Sequence, residues 1–140
     1  MTIEGRRWAQ ILGAALVVGL LVSCAPGVGS TSQKNEAGYR DISVQQLAEM
    51  LEDKDFILVN VHIPYEGEIP QTDLFIPYDE MQGHLAELPG KDSPIVLYCR
   101  SGSMSTTAAE VLVSLGYNDV MEVNGGMRAW EAAGYALLRQ

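Results

Sequence analysis

The sequence is short of cysteine, histidine, basic residues and long apolar runs, and each shortage excludes something. Two cysteines in 140 residues, Cys24 and Cys99, are too few for a disulfide-stapled scaffold. One ends an apolar run and the other lies between a strand pattern and a helix pattern, so they need separate explanations. The two histidines, His62 and His84, are isolated from each other and from any ligand cluster, so no metal site is expected. Nine Lys and Arg stand against eighteen Asp and Glu, for a formal charge of −9. Binding to nucleic acid needs clustered Lys and Arg, so this balance argues against it. The longest apolar stretch, Ile11–Val22, falls short of the roughly 18 to 20 residues that a spanning helix requires.

What is present is the composition of one small globular domain, with 47% hydrophobic and 19% charged residues. The first 38 residues stand apart from it. Arg6 and Arg7 precede the apolar stretch, and Ser23-Cys24 follows it, which is the layout of an export signal over residues 1–23. A twin-arginine signal is a weaker reading of the same pair. Leu21-Val22-Ser23-Cys24 resembles the lipobox of bacterial lipoproteins. That resemblance implies a diacylglyceryl group on the Cys24 thiol and a cell-envelope location, anchored to a membrane by lipid. An ordinary secretory signal cut nearby, leaving Cys24 free, is the alternative. Residues 24–38 are rich in Gly, Ser, Asn and Gln and read as a flexible tether, with a root-mean-square span of about 20 Å. Without residues 1–23 the chain loses a net charge of +1 and becomes still more acidic.

From Tyr39 to the end, strand-like runs alternate with amphipathic patterns. This predicts a single α/β domain with a mostly parallel sheet flanked by helices on both faces. Ser43 is placed to cap a helix carrying Val44, Leu47, Ala48 and Leu51, and Phe56–Val61 reads as a strand buried on both sides. A short run, Leu74-Phe75-Ile76, follows. Asp79 is placed to cap a helix bearing Met81, Leu85 and Leu88, which Pro89-Gly90 stops. Ile95–Tyr98 is a continuous apolar strand, and Met104, Ala108, Val111, Leu112 and Leu115 recur at helical spacing until Gly116. A strand around Val120–Val123, a Gly125-Gly126 turn and a helix through Met127 and Trp130 complete the chain.

Cys99 falls at the carboxyl end of a parallel strand, before a loop that opens a helix, where open α/β sheets bind ligands. Loop amides and the helix dipole there favour a thiolate. Arg100 adds a full charge nearby, Gly102 lets the backbone bend, and Ser101, Ser103 and Ser105 are small enough to leave the sulfur accessible. The competing reading is an inert cysteine finishing a strand. A polar loop and an adjacent arginine argue against it.

Cys99-Arg100-Ser101-Gly102-Ser103-Met104 resembles the active-site loop of the rhodanese family, and Asn124–Trp130 resembles its closing Gly-Gly-x-x-x-Trp segment. Gly67-Glu68-Ile69-Pro70 and Ile76-Pro77 are similar to two further family segments. The resemblance covers residues 39–140. It implies a sulfurtransferase that takes a sulfane sulfur from a small donor such as thiosulfate, holds it as a persulfide on Cys99 and passes it to cyanide or a thiol. It implies no metal and no organic cofactor, and the expected state is a monomer. Phosphatases on related loops need an arginine six positions after the cysteine, where this chain has Ser105.

The match has departures. Asn60-Val61-His62 stands where the family usually has Asp-Val-Arg, and Met104 where a second loop arginine is common. His62 is thus the candidate substrate contact, able to donate a hydrogen bond when neutral and to carry charge when protonated. Residues 63–70 form a shorter segment than usual. These departures keep open a weakly catalytic or non-catalytic module that binds a partner protein or carries persulfide to a dedicated acceptor.

Overall fold

The computed structural model describes residues 33–139. The signal segment, Cys24 and most of the tether lie outside the described residues. Five strands form one wholly parallel sheet in the order β1-β5-β4-β2-β3. They are β1 (Arg40–Ile42), β2 (Ile57–Asn60), β3 (Leu74–Phe75), β4 (Ile95–Tyr98) and β5 (Val120–Val123).

Alternation along the strands divides the core. Ile95, Leu97 and Cys99 face one side with Val59 and Val120, whereas Val96 and Tyr98 face the other with Leu58 and Met121. The first side is covered by α2 (Ser103–Ser114), through Ala108, Ala109 and Leu112, and by a 3-10 helix (Met81–Glu87). The second is covered by α1 (Val44–Met50) and α3 (Gly126–Ala132), through Val44, Leu47, Met127 and Trp130. The expected two-faced α/β sandwich is therefore present.

Local chemistry sets most element ends. The Ser43 side chain accepts from Gln46 N at 3.1 Å, and Gln46 Oε1 accepts from Ser43 N at 2.8 Å, a reciprocal cap for α1. Leu51, expected on that helix, belongs instead to a short 3-10 turn, Leu51–Asp53. One further expectation needs correcting. Asp79 caps nothing: residues 81–87 form a 3-10 helix with Glu80 at the cap position and no side-chain capping bond. The segment is entered through consecutive three-residue turns, Glu80 N to Pro77 O and Gly83 N to Glu80 O, and Gly83 in its middle disfavours a wider helix.

Ordered contacts also reach ahead of Tyr39. Asn35 Nδ2 donates to Asp41 at 3.0 Å, and Lys34 Nζ donates to Asn118 O at 2.6 Å. Buried polar groups hold the β2 side together. Asn60 Nδ2 donates to Gly67 O and Asn60 Oδ1 accepts from His62 N, both at 3.0 Å, which pins the 60–67 loop to the sheet. The Tyr98 hydroxyl accepts from Ile69 N at 3.0 Å and pairs with Thr72 Oγ1 at 2.7 Å.

Candidate active site

The last rung before the loop is Val61 N donating to Tyr98 O at 2.9 Å, and Cys99 leaves the sheet just beyond it. The backbone then turns through Gly102, whose φ of +109° is a conformation that a side chain would oppose. That turn folds the loop over the sulfur. Gly102 N donates to Cys99 Sγ at 3.0 Å, and Ser105 Oγ lies 3.3 Å from the same atom. The first bond of α2 runs from Thr106 N to Gly102 O, so the amides of Ser103, Met104 and Ser105 are not used by the helix ladder.

The structure differs from the expected open cradle in two ways. Cys99 is 1% exposed, sealed by its own loop and by the face of α2, so small neighbouring serines do not leave it open. Among the described residues one amide and one hydroxyl, rather than a ring of amides, reach the sulfur. Ser101 and Ser103 are exposed, while Met104, in the first turn of α2, packs against the core.

The Gly-Gly segment supports the loop from the other side. Met127 N donates to Cys99 O at 2.9 Å and Arg128 N to Arg100 O at 3.0 Å, so the first turn of α3 is pressed against the loop backbone. Gly126 makes this approach possible: a Cβ there would lie 2.1 Å from Cys99 O. Trp130 anchors the far end of α3 through Nε1 donating to Ala136 O at 2.9 Å.

Arg100 and His62 meet at a residue the sequence did not single out. Arg100 Nη1 lies 2.9 Å from both carboxylate oxygens of Glu66, and His62 Nε2 lies 3.0 Å from Glu66 Oε2. The Arg100 charge is thus neutralised by Glu66. His62 is nearly buried, and its Nδ1 is a buried ring nitrogen with no partner. A cleft of about 340 Å³ adjoins the loop, lined by Glu66, Arg100, Met127 and Arg128 among others; Cys99 is not part of its wall. His84, by contrast, pairs with Glu87 of the 3-10 helix and with Glu80 at its cap position, and these hydrogen bonds raise its pKa. Among the described residues no cluster could hold a metal ion.

A second carboxylate lies behind the sulfur. Glu122 is 2% exposed on β5, in register with Leu97 of β4, and its Oε1 is 2.6 Å from Ser105 Oγ. Burial lifts its pKa from 4.5 to about 7, against the opposing pull of the Ser105 hydroxyl. The signal for Glu122 was in the sequence, as one acid inside the apolar run Val120-Met121-Glu122-Val123. Glu66 had no such signal, because Arg100 is 34 residues away.

A parallel α/β sheet with a cysteine loop after its central strand, braced by a Gly-Gly turn, defines a domain class with one thiol at the carboxyl edge. Residues 43–133 match the profile of the rhodanese-like domain, and the chain belongs to that family. It is 34% identical over 102 residues to a sulfurtransferase of Allochromatium vinosum, covering 70% of this chain and 94% of the relative. It is 33% identical over 98 residues to the thiosulfate sulfurtransferase GlpE of Pseudoalteromonas translucida, covering 68% and 91%. Among solved structures, a rhodanese-related protein of Thermoplasma volcanium superposes with a TM-score of 0.63 at 28% identity, over 73% of this chain and all of that one. A rhodanese-like domain protein of Staphylococcus aureus gives 0.57 at 32% identity, over 64% and 89%.

Proposed function

We propose that the chain is a sulfurtransferase that works through a persulfide on Cys99. The Cys99 thiolate attacks the outer sulfur of a donor such as thiosulfate, the donor S–S bond breaks, and sulfite leaves with the bonding electron pair. A nucleophilic acceptor then attacks the outer persulfide sulfur. Cyanide leaves as thiocyanate, a thiol leaves as a new persulfide, and the Cys99 thiolate returns. Neither half requires an external oxidant or reductant.

The observation that carries this reading is Gly102 N donating to the Cys99 sulfur at 3.0 Å, with the Ser105 hydroxyl within reach at 3.3 Å, at the carboxyl edge of the sheet. Donors fixed on a sulfur favour its anionic form. In the adjoining cleft Arg100 and Arg139 are paired with Glu66 and Glu131, while Arg128 is in no ion pair among the described residues and suits an anionic donor. The test is thiocyanate formation from thiosulfate and cyanide by the full chain. Turnover in wild type and none in Cys99→Ser supports the proposal, and equal background in both contradicts it.

A second reading is favoured by the 1% exposure of Cys99 and by the Glu66 carboxylate occupying Arg100. Under it the domain is a weakly catalytic or non-catalytic module whose loop opens only against a partner protein that takes or delivers the persulfide. The lipobox-like Leu21-Val22-Ser23-Cys24 supports export, acylation of Cys24 and tethering of either form to a bacterial membrane.

A further inference from the structure

Ser105 carries one hydroxyl hydrogen and has three acceptors within reach: Glu122 Oε1 at 2.6 Å, Gly102 O at 3.1 Å and Cys99 Sγ at 3.3 Å. It can serve one of them at a time. Which one it serves depends on Glu122. A protonated Glu122 is itself a donor to Ser105 Oγ, and this leaves the Ser105 hydrogen for the sulfur. An ionised Glu122 is only an acceptor, and it draws that hydrogen away, leaving the sulfur with Gly102 N alone.

We propose that Glu122 is a positioning residue for Cys99: its protonation state, relayed by the Ser105 hydroxyl, sets whether the sulfur anion receives a second hydrogen bond. The inference rests on Cys99 being the reactive thiol. It goes beyond that reading by assigning a task to a carboxylate that is 2% exposed behind the sulfur.

The surroundings of Glu122 leave few competing explanations. From β1, Asp41 lies in register with it and opposes its ionisation, while Asp41 itself accepts from Asn35. From β4 its register partner is Leu97. From α2 the polar group facing it is Ser105, and from the loop the titratable group reached through Ser105 is Cys99. Among the described residues no cation is paired with Glu122, so its charge is not fixed by a structural ion pair. The carboxyl group titrates at about 7, within the range in which the switch would act.

The test is a double-mutant cycle read by the ultraviolet absorbance of the Cys99 thiolate against pH. The full chain carries Cys24→Ser throughout, with Cys99→Ala as the blank. Glu122→Gln is a permanent donor to Ser105. It should shift the midpoint of thiolate formation to lower pH by about one unit, a tenfold change in the ionisation equilibrium. In a Ser105→Ala background the same substitution should change that equilibrium by less than about threefold. An equal shift in both backgrounds would mean plain charge repulsion and overturn the proposal, as would no shift in either.

If Glu122→Gln does not fold, the wild type still decides. The ¹³Cβ resonance of Cys99 should shift through the pH range in which the Glu122 carboxyl titrates, and Ser105→Ala should abolish that shift; a Cys99 resonance blind to Glu122, or one that follows it equally in Ser105→Ala, would overturn the proposal. Thiosulfate enters neither measurement, so failure of sulfur transfer and failure of this switch are separable.

Discussion

The contest for one hydroxyl hydrogen at Ser105 exists because β5 places a carboxyl group where the opposite strand has Leu97. The consequence for stability follows from linkage. Between pH 4.5 and about 7 the folded chain holds a proton on Glu122 that the unfolded chain has released. Glu122 therefore contributes most favourably below its unfolded value, and that contribution is lost as pH rises through about 7. Glu122→Gln removes the dependence. Its stability relative to wild type should rise across this window by as much as about 3 kcal/mol, read from urea unfolding at both ends. Parallel stabilities at the two ends would contradict the burial argument.

Gly126 and Gly83 make opposite predictions about the elements they occupy. At Gly126 a Cβ would meet Cys99 O at 2.1 Å and the Arg100 carbonyl carbon at 2.9 Å, with φ at +52°. Gly126→Ala should therefore push α3 off the loop and cost on the order of 3 to 5 kcal/mol by denaturant unfolding. At Gly83, in the 3-10 helix, a Cβ meets nothing within 4 Å. Gly83→Ala should be neutral or stabilise by up to about 1 kcal/mol. Equal costs for the two would show that α3 does not brace the loop. The loop's outer edge is a charge problem. Glu66→Gln frees Arg100, and the KM for thiosulfate should fall by about threefold to tenfold, an effect that shrinks with added salt. An unchanged KM would mean that Arg100 does not meet the donor.

At the scale of the whole chain, much of the architecture was legible in the sequence. β2, β4 and α2 are largely apolar runs or clear helical periods, β5 is apolar but for Glu122, and burial on both faces leaves such patterns little freedom. At 81–87 the periodicity points to a capped helix where the structure has a 3-10 helix, because the turns at Pro77 and Gly83 decide its width and periodicity does not register them. At the site, Cys99 and its loop could be located by position. The seal over the sulfur, the Glu66 clamp on Arg100 and the Glu122 relay could not, since each depends on packing between distant segments. The proposed anchor is independent of all this: Cys24→Ser should move the exported chain from the detergent phase to the aqueous phase, and an unaltered partition would contradict lipidation. The claim on which the functional account turns is that the Cys99 sulfur accepts a second sulfur. Its most direct test is intact-mass analysis of the full chain after incubation with thiosulfate, with peptide mapping to find the site. The account predicts a reducible gain of one sulfur atom on Cys99 that is absent in Cys99→Ser; an unmodified Cys99, or the same gain in the serine variant, would contradict it.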